Sequence, residues 1–153
     1  ESYACEAADQ FLHYLEYRIR NDANGWEDWV WDGSVGNVPE FGDLGSTDNF
    51  SVSGAGMWGD GTLHEEPTEK GIYKVVTYVD SESPGDTGAG ELSEGDIRDF
   101  EGIMAVWQEQ LEVDGTSVTK DIAIALKVEV SWPAHVPYVN REKAAYHYEL
   151  FNR

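Results

Sequence analysis

The chain has 153 residues, 41% of them hydrophobic, and a formal net charge of −20 from 30 acidic and 10 basic side chains. That length suits one domain with a sizeable core. The charge repels phosphate backbones and anionic headgroups, which argues against nucleic-acid and polybasic membrane partners and for solubility, a saline habitat or attraction of cations.

Cys5 is the sole cysteine, so no internal disulfide can form and it has no metal-spaced companion. No apolar run in the chain is long enough to span a membrane. Residues 2–22 (SYACEAADQFLHYLEYRIRND) read as a helix, because Ala4, Ala7, Ala8, Phe11, Leu15 and Ile19 recur at three- and four-residue steps. Arg18 and Arg20 suit the last turn, where cations meet the negative end of the helix dipole, and the stretch from Asn21 to Gly25 stops it.

Residues 26–71 are rich in Gly, Asp and Trp, with Pro39 and Pro67 as breakers and no sustained period. They are expected to form long loops with a few short strands, one of them around Phe50–Val52. Residues 72–79 (IYKVVTYV) are β-branched and apolar on both faces, as in a central strand. The run from 80 to 96 is acidic and contains Gly and Ser, and it is expected to be a solvated loop.

Asp114-Gly115 is a two-residue turn signal of type I′. If it joins two long strands, Ile103 faces Leu126, Ala105 faces Ile124, Trp107 faces Ile122, Glu109 faces Lys120 and Leu111 faces Val118, all on one side of the sheet. Residues 122–132 alternate cleanly, with Ile122, Ile124, Leu126, Val128, Val130 and Trp132 on one face, until Pro133 ends the strand. A Pro-punctuated loop leads to a last strand whose Ala144, Tyr146, Tyr148 and Leu150 share a face. The expected class is α+β: one N-terminal helix packed on a C-terminal antiparallel β-meander, with long loops between, in a single domain spanning 1–153.

Motifs for chemistry are sparse. Gly54-Ala-Gly-Met-Trp-Gly59 matches a dinucleotide-binding string, but Asp60-Gly61-Thr62 cannot open the helix that would receive the pyrophosphate. The four histidines lack metal-ligand spacing, and no nucleophile elbow occurs. No catalytic or cofactor-binding residue is assigned. Calcium is the least implausible ligand, through Asp80, Glu82 and Asp86 or through the loop from Asp43 to Asp48, although neither has ordered EF-hand spacing. Trp107 and Trp132 lie on apolar strand faces and read as core. Trp26, Trp29, Trp31 and Trp58 either pack beneath the loops or form an exposed platform for carbohydrate or protein. Asn49-Phe-Ser51 is a glycosylation sequon.

Two stretches carry a resemblance. Ala7-Ala-Asp-Gln-Phe-Leu with Tyr17-Arg-Ile-Arg-Asn21 looks like the end of a long pilin helix. Lys127-Val-Glu-Val-Ser-Trp-Pro133, followed by Arg141 to Leu150-Phe-Asn-Arg153, looks like the closing strands of minor subunits. Together these cover about a third of the chain, which resembles the soluble part of type IV pilin-like proteins, the minor pilins and minor pseudopilins of type II secretion. The resemblance implies a non-enzymatic filament subunit whose partners are other pilin or pseudopilin subunits. It implies an extracytoplasmic location, with membrane attachment only through an apolar helix preceding Glu1. In that setting Ala4, Ala7, Ala8, Phe11 and Leu15 continue the anchor helix onto the sheet, and the loops at 26–71 and 80–101 face neighbours. The rival expectation is a secreted acidic binding module that uses the loop tryptophans.

Overall fold

In the computed structural model, which describes residues 3–31, 37–78 and 98–152, the chain opens with helix α1 (Tyr3–Asn21). Its buried side chains are Ala4, Ala7, Ala8, Phe11, Leu15 and Ile19, the stripe that the sequence period marks. Most of the stability of a helix in a folded protein comes from packing its amphipathic face, here from laying that stripe on a sheet. Small residues in the first turns let the backbone approach closely, and Phe11 and Leu15 fill the space further along. The helix runs over strands β2 (Thr62–Glu65), β7 (Ala123–Trp132) and β8 (Glu142–Phe151).

The sheet has six strands in the order β2-β1-β3-β4-β7-β8, where β1 is Gly56–Gly59, β3 is Ile72–Tyr78 and β4 is Arg98–Glu109. The α+β meander assignment is thereby corrected. The fold is a mixed α/β arrangement of one helix on a mostly antiparallel sheet in which β1 runs parallel to β3. The extra hairpin β1–β2 comes from the stretch expected to hold long loops and a few short strands. Its turn is Asp60-Gly61, with φ of 53° and 81°, the same left-handed pair that Asp114-Gly115 adopts at 54° and 80°. Strands of four residues flanked by glycines are too short to show a period. Gly56 is required there, because a Cβ would stand 2.5 Å from the Glu65 carbonyl oxygen.

The long hairpin expected across Asp114-Gly115 is also corrected. The turn forms, but it closes only the two-residue strands β5 (Glu112–Val113) and β6 (Thr116–Ser117), extended by Val118 N–H donating to Leu111 C=O at 2.8 Å. The chain then turns again at Thr119, whose carbonyl accepts from Ile122 and Ala123. It enters β7 five residues out of the expected register, so that Ile103 faces Ser131 and Ala105 faces Glu129. An odd offset reverses the faces. Met104 and Val106 therefore join the helix-side core with Ile124, Leu126, Val128 and Val130, while Ile103 and Ala105 lie on the opposite side. Glu109 and Lys120 do not pair; Lys120 meets Glu40 at 3.2 Å and Lys127 approaches Glu109 at 3.7 Å. Ile122 is exposed, outside the strand.

Irregular chain covers the face away from α1. Two short 3-10 helices, Phe41–Leu44 and Thr47–Asn49, replace the strand expected near Phe50–Val52. Leu44 and Phe50 pack there with Ile72, Ile103, Ala105 and Ala134 in a second, smaller core. β7 ends at a cis Trp132–Pro133 bond, and a loop closed by the 3-10 turn Tyr138–Asn140 leads into β8.

Candidate functional site

On the helix side, aromatic residues from four parts of the chain meet. Phe11 lies 5.4 Å from Trp58 and from Tyr73, and Tyr14 presents an edge to Trp58 at 5.2 Å and to Trp29 at 5.9 Å. The Arg18 guanidinium stands 5.7 Å from the Tyr14 ring and 5.6 Å from the Trp29 ring, while its Nε donates to Asp22 at 2.9 Å. That hydrogen bond raises the Arg18 pKa. Burial, with the Glu66 charge second, pushes the Tyr73 hydroxyl pKa upward. At the helix edge Tyr148 donates to Asp9 at 2.8 Å; burial first and this bond second raise its pKa.

Of the tryptophans weighed as a platform, Trp29 and Trp58 belong to this cluster. Trp26, Trp29 and Trp58 are buried, Trp58 to 1% exposure, so none offers a ring face to a ligand. Trp26 Nε1 donates to the Lys120 carbonyl at 3.1 Å. Trp31 ends a π-helical turn, Glu27–Trp31; its side chain lies outside the described residues. The strand tryptophans are half-buried rather than core. Trp132 packs on Phe100 at the helix-side rim, and Trp107 lies on the other face against Phe41.

On that other face the organising residue is Arg141, which the sequence marks only as part of the closing strands. Arg141 is 7% exposed, and its guanidinium has several acceptors. Nε donates to Val136 C=O at 2.8 Å, Nη1 to Phe50 C=O at 2.8 Å and to Ser131 Oγ at 3.0 Å, and Nη2 to Ala134 C=O at 3.1 Å. One cation thus ties the 3-10 segment, the Pro133 loop and β7 together. Burial holds its pKa below the usual value. Tyr138 closes over it, with its hydroxyl donating to Glu129 at 2.7 Å and Lys143 Nζ 4.4 Å above its ring. Burial, then that hydrogen bond, raises the Tyr138 pKa to about 12. No local pattern marks Arg141, because its acceptors are three backbone carbonyls and the Ser131 hydroxyl, and the Phe50 carbonyl is ninety-one positions away in sequence.

A second clamp lies on the helix side, where Gln108 shares the face of Met104 and Val106 and holds the chain that leads into this covering. Gln108 is buried, and its amide donates to Val30 C=O at 2.8 Å and Val38 C=O at 2.7 Å. Its backbone N–H donates to Pro39 C=O at 2.8 Å. Beside it opens a cavity of about 490 Å³, lined by Glu40, Phe41, Glu109, Gln110 and Lys120 among others. Phe41 is half exposed there, and the rim carboxylate of Glu40 is ion-paired to Lys120. These groups can hold a ligand by stacking and hydrogen bonds.

The remaining sequence-marked residues do not converge on a site. Gly54 to Gly59 runs into β1 and a hairpin, without the helix that a dinucleotide site needs. Asp80, Glu82 and Asp86 lie outside the described residues. Among the described residues no group of three or more His, Cys, Asp or Glu side chains is placed to hold a metal. Asp48 N–H is capped by Ser46 Oγ at 3.2 Å, and Asn49 Nδ2 donates to Leu44 C=O at 2.8 Å. Among the described residues no helix is long and apolar enough to cross a membrane. Comparison with family models, curated proteins and solved structures gives no match.

Proposed function

We propose that the chain is a non-enzymatic structural subunit, of the minor pilin or pseudopilin kind, working in a type IV pilus or a type II secretion-like filament. The observation that carries this reading is the seating of α1. Ala4, Ala7, Ala8, Phe11 and Leu15 are sealed on the sheet from the first turn onward, as expected of the lower half of a helix whose upper half serves as anchor and filament core. The sheet departs from a meander at β1 and β2, so the reading rests on the helix and on the closing strands. Partners are then other subunits of the filament, and the location is extracytoplasmic, with the membrane contacted only through a segment preceding Glu1. The rival, a binding module built on loop tryptophans, loses its platform because Trp26, Trp29 and Trp58 are interior.

The test is the gene sequence upstream of Glu1. A short basic leader, a Gly-Phe-like cleavage point and about twenty apolar residues support the proposal. A chain whose preceding residues hold none of these overturns it.

A further inference from the structure

The two edges of the sheet are unlike. β2 has four residues, whereas β8 has ten and lies outermost along its whole length. Asn152 N–H donates to Ile122 C=O at 3.0 Å, in the same register in which Phe151 faces Ala123. Because inward and outward amides alternate along an antiparallel strand, the even residues of β8 bond to β7. The odd residues from Lys143 to Glu149 turn their N–H and C=O groups to the open edge. Among the described residues no backbone hydrogen bond to that edge occurs. A long strand edge of this kind is a template for another strand.

We propose that this edge pairs with β8 of a second copy of the chain, antiparallel about a two-fold axis at Tyr146. The occupant follows from the pattern of charge. Outward amides can bond only to outward amides, so odd residues must face odd residues. With the axis at Tyr146, Lys143 faces Glu149 of the second copy, and the symmetry repeats that pair. Ala145 then faces His147, and the two Tyr146 rings meet on the helix side. Sliding to an axis at Ala145 sets Lys143 against His147; sliding to His147 sets it against Phe151 and stacks two histidines. Only the Tyr146 axis turns the charged residues of this edge, Lys143 and Glu149, both exposed, into complementary pairs. Both α1 helices then lie on the same face of one continuous sheet.

The net charge of −20 on each copy opposes this association over a Debye length of about 10 Å at 0.1 M salt, which shrinks to about 3 Å at 1 M. The ladder of backbone hydrogen bonds is not screened in that way. The dimer therefore tightens as salt rises, opposite to a complex held by charge attraction.

Sedimentation equilibrium across this salt range is the first measurement. A monomer–dimer equilibrium that shifts toward dimer with salt is expected, and a monomer at every salt and concentration overturns the proposal. Ala145→Pro removes an outward N–H while leaving the bonds to β7, and Pro is tolerated on an edge strand. This variant should keep its far-ultraviolet spectrum and become monomeric; a persisting dimer overturns the proposal. Lys143→Glu should weaken the dimer about tenfold, and Lys143→Glu with Glu149→Lys should restore it. In a Cys5→Ser background, Tyr146→Cys should form an intermolecular disulfide under oxidation and Ala144→Cys should not; the reverse result rules out the register.

Discussion

On the helix side of the sheet, Phe11, Trp58 and Tyr73 meet ring to ring beneath a regular amphipathic surface. On the other side, Phe50, Ile72 and Ile103 are closed over by irregular chain that Arg141 holds in place. The first covering needs no particular partner for any one side chain, since apolar burial is non-directional and spread over many contacts. The second depends on a few directed hydrogen bonds to backbone carbonyls, which have no alternative donor if the side chain is removed. The same sheet is thus sealed once by area and once by geometry.

The largest effect should come from the area-sealed side. Phe11→Ala removes a fully buried ring from the centre of the aromatic cluster and should cost about 4 kcal/mol in urea unfolding. Arg141→Ala tests the geometric seal. It leaves the carbonyls of Phe50, Ala134 and Val136 unpaired and should cost about 3 kcal/mol, with Arg141→Lys recovering only part, because one ammonium cannot reproduce the fork. A loss under about 1 kcal/mol for Arg141→Ala would erase the contrast between the two faces. Gln108→Leu keeps the volume and removes two donated bonds, so a loss of about 2 kcal/mol is expected. Hydrogen exchange at the amide of Val38 should rise with it.

A smaller effect concerns pH. Tyr138 titrates near 12 in the folded state against about 10 unfolded. The folded chain therefore keeps a proton that the unfolded chain loses. Stability from this group is present below pH of about 10 and falls between about 10 and 12. Tyr138→Phe should flatten part of that alkaline decline in thermal melts, leaving the part due to Tyr73 and Tyr148, whose pKa values are also raised.

Legibility followed the same division. The α1 stripe and the alternation of β7 were readable because burial on one face imposes a period of 3.6 or 2. β4 was not readable in the same way. Ile103, Met104, Ala105 and Val106 are apolar on both faces, so nothing in that stretch says which pair meets the helix. The choice was made by the turn at Thr119, which lies outside the strands it aligns. The β1–β2 hairpin carried a signal in Asp60-Gly61, the same dipeptide that marks Asp114-Gly115, but four-residue strands offered no alternation to go with it. At the cavity beside Gln108, Phe41 and Lys120 are separated by nearly eighty positions, and no local pattern joins them.

By itself the sequence determined where regular structure runs: one amphipathic helix, a both-faces-apolar strand read at 72–79, and two long alternating strands at the end. Those follow from side-chain period, which is a local property. The tertiary structure decided the register of β7 on β4, the parallel insertion of β1 beside β3, the burial of Trp26, Trp29 and Trp58, and the role of Arg141. Each of these is a competition for the same sheet surface and the same unpaired carbonyls. Such competition is settled only when distant segments meet.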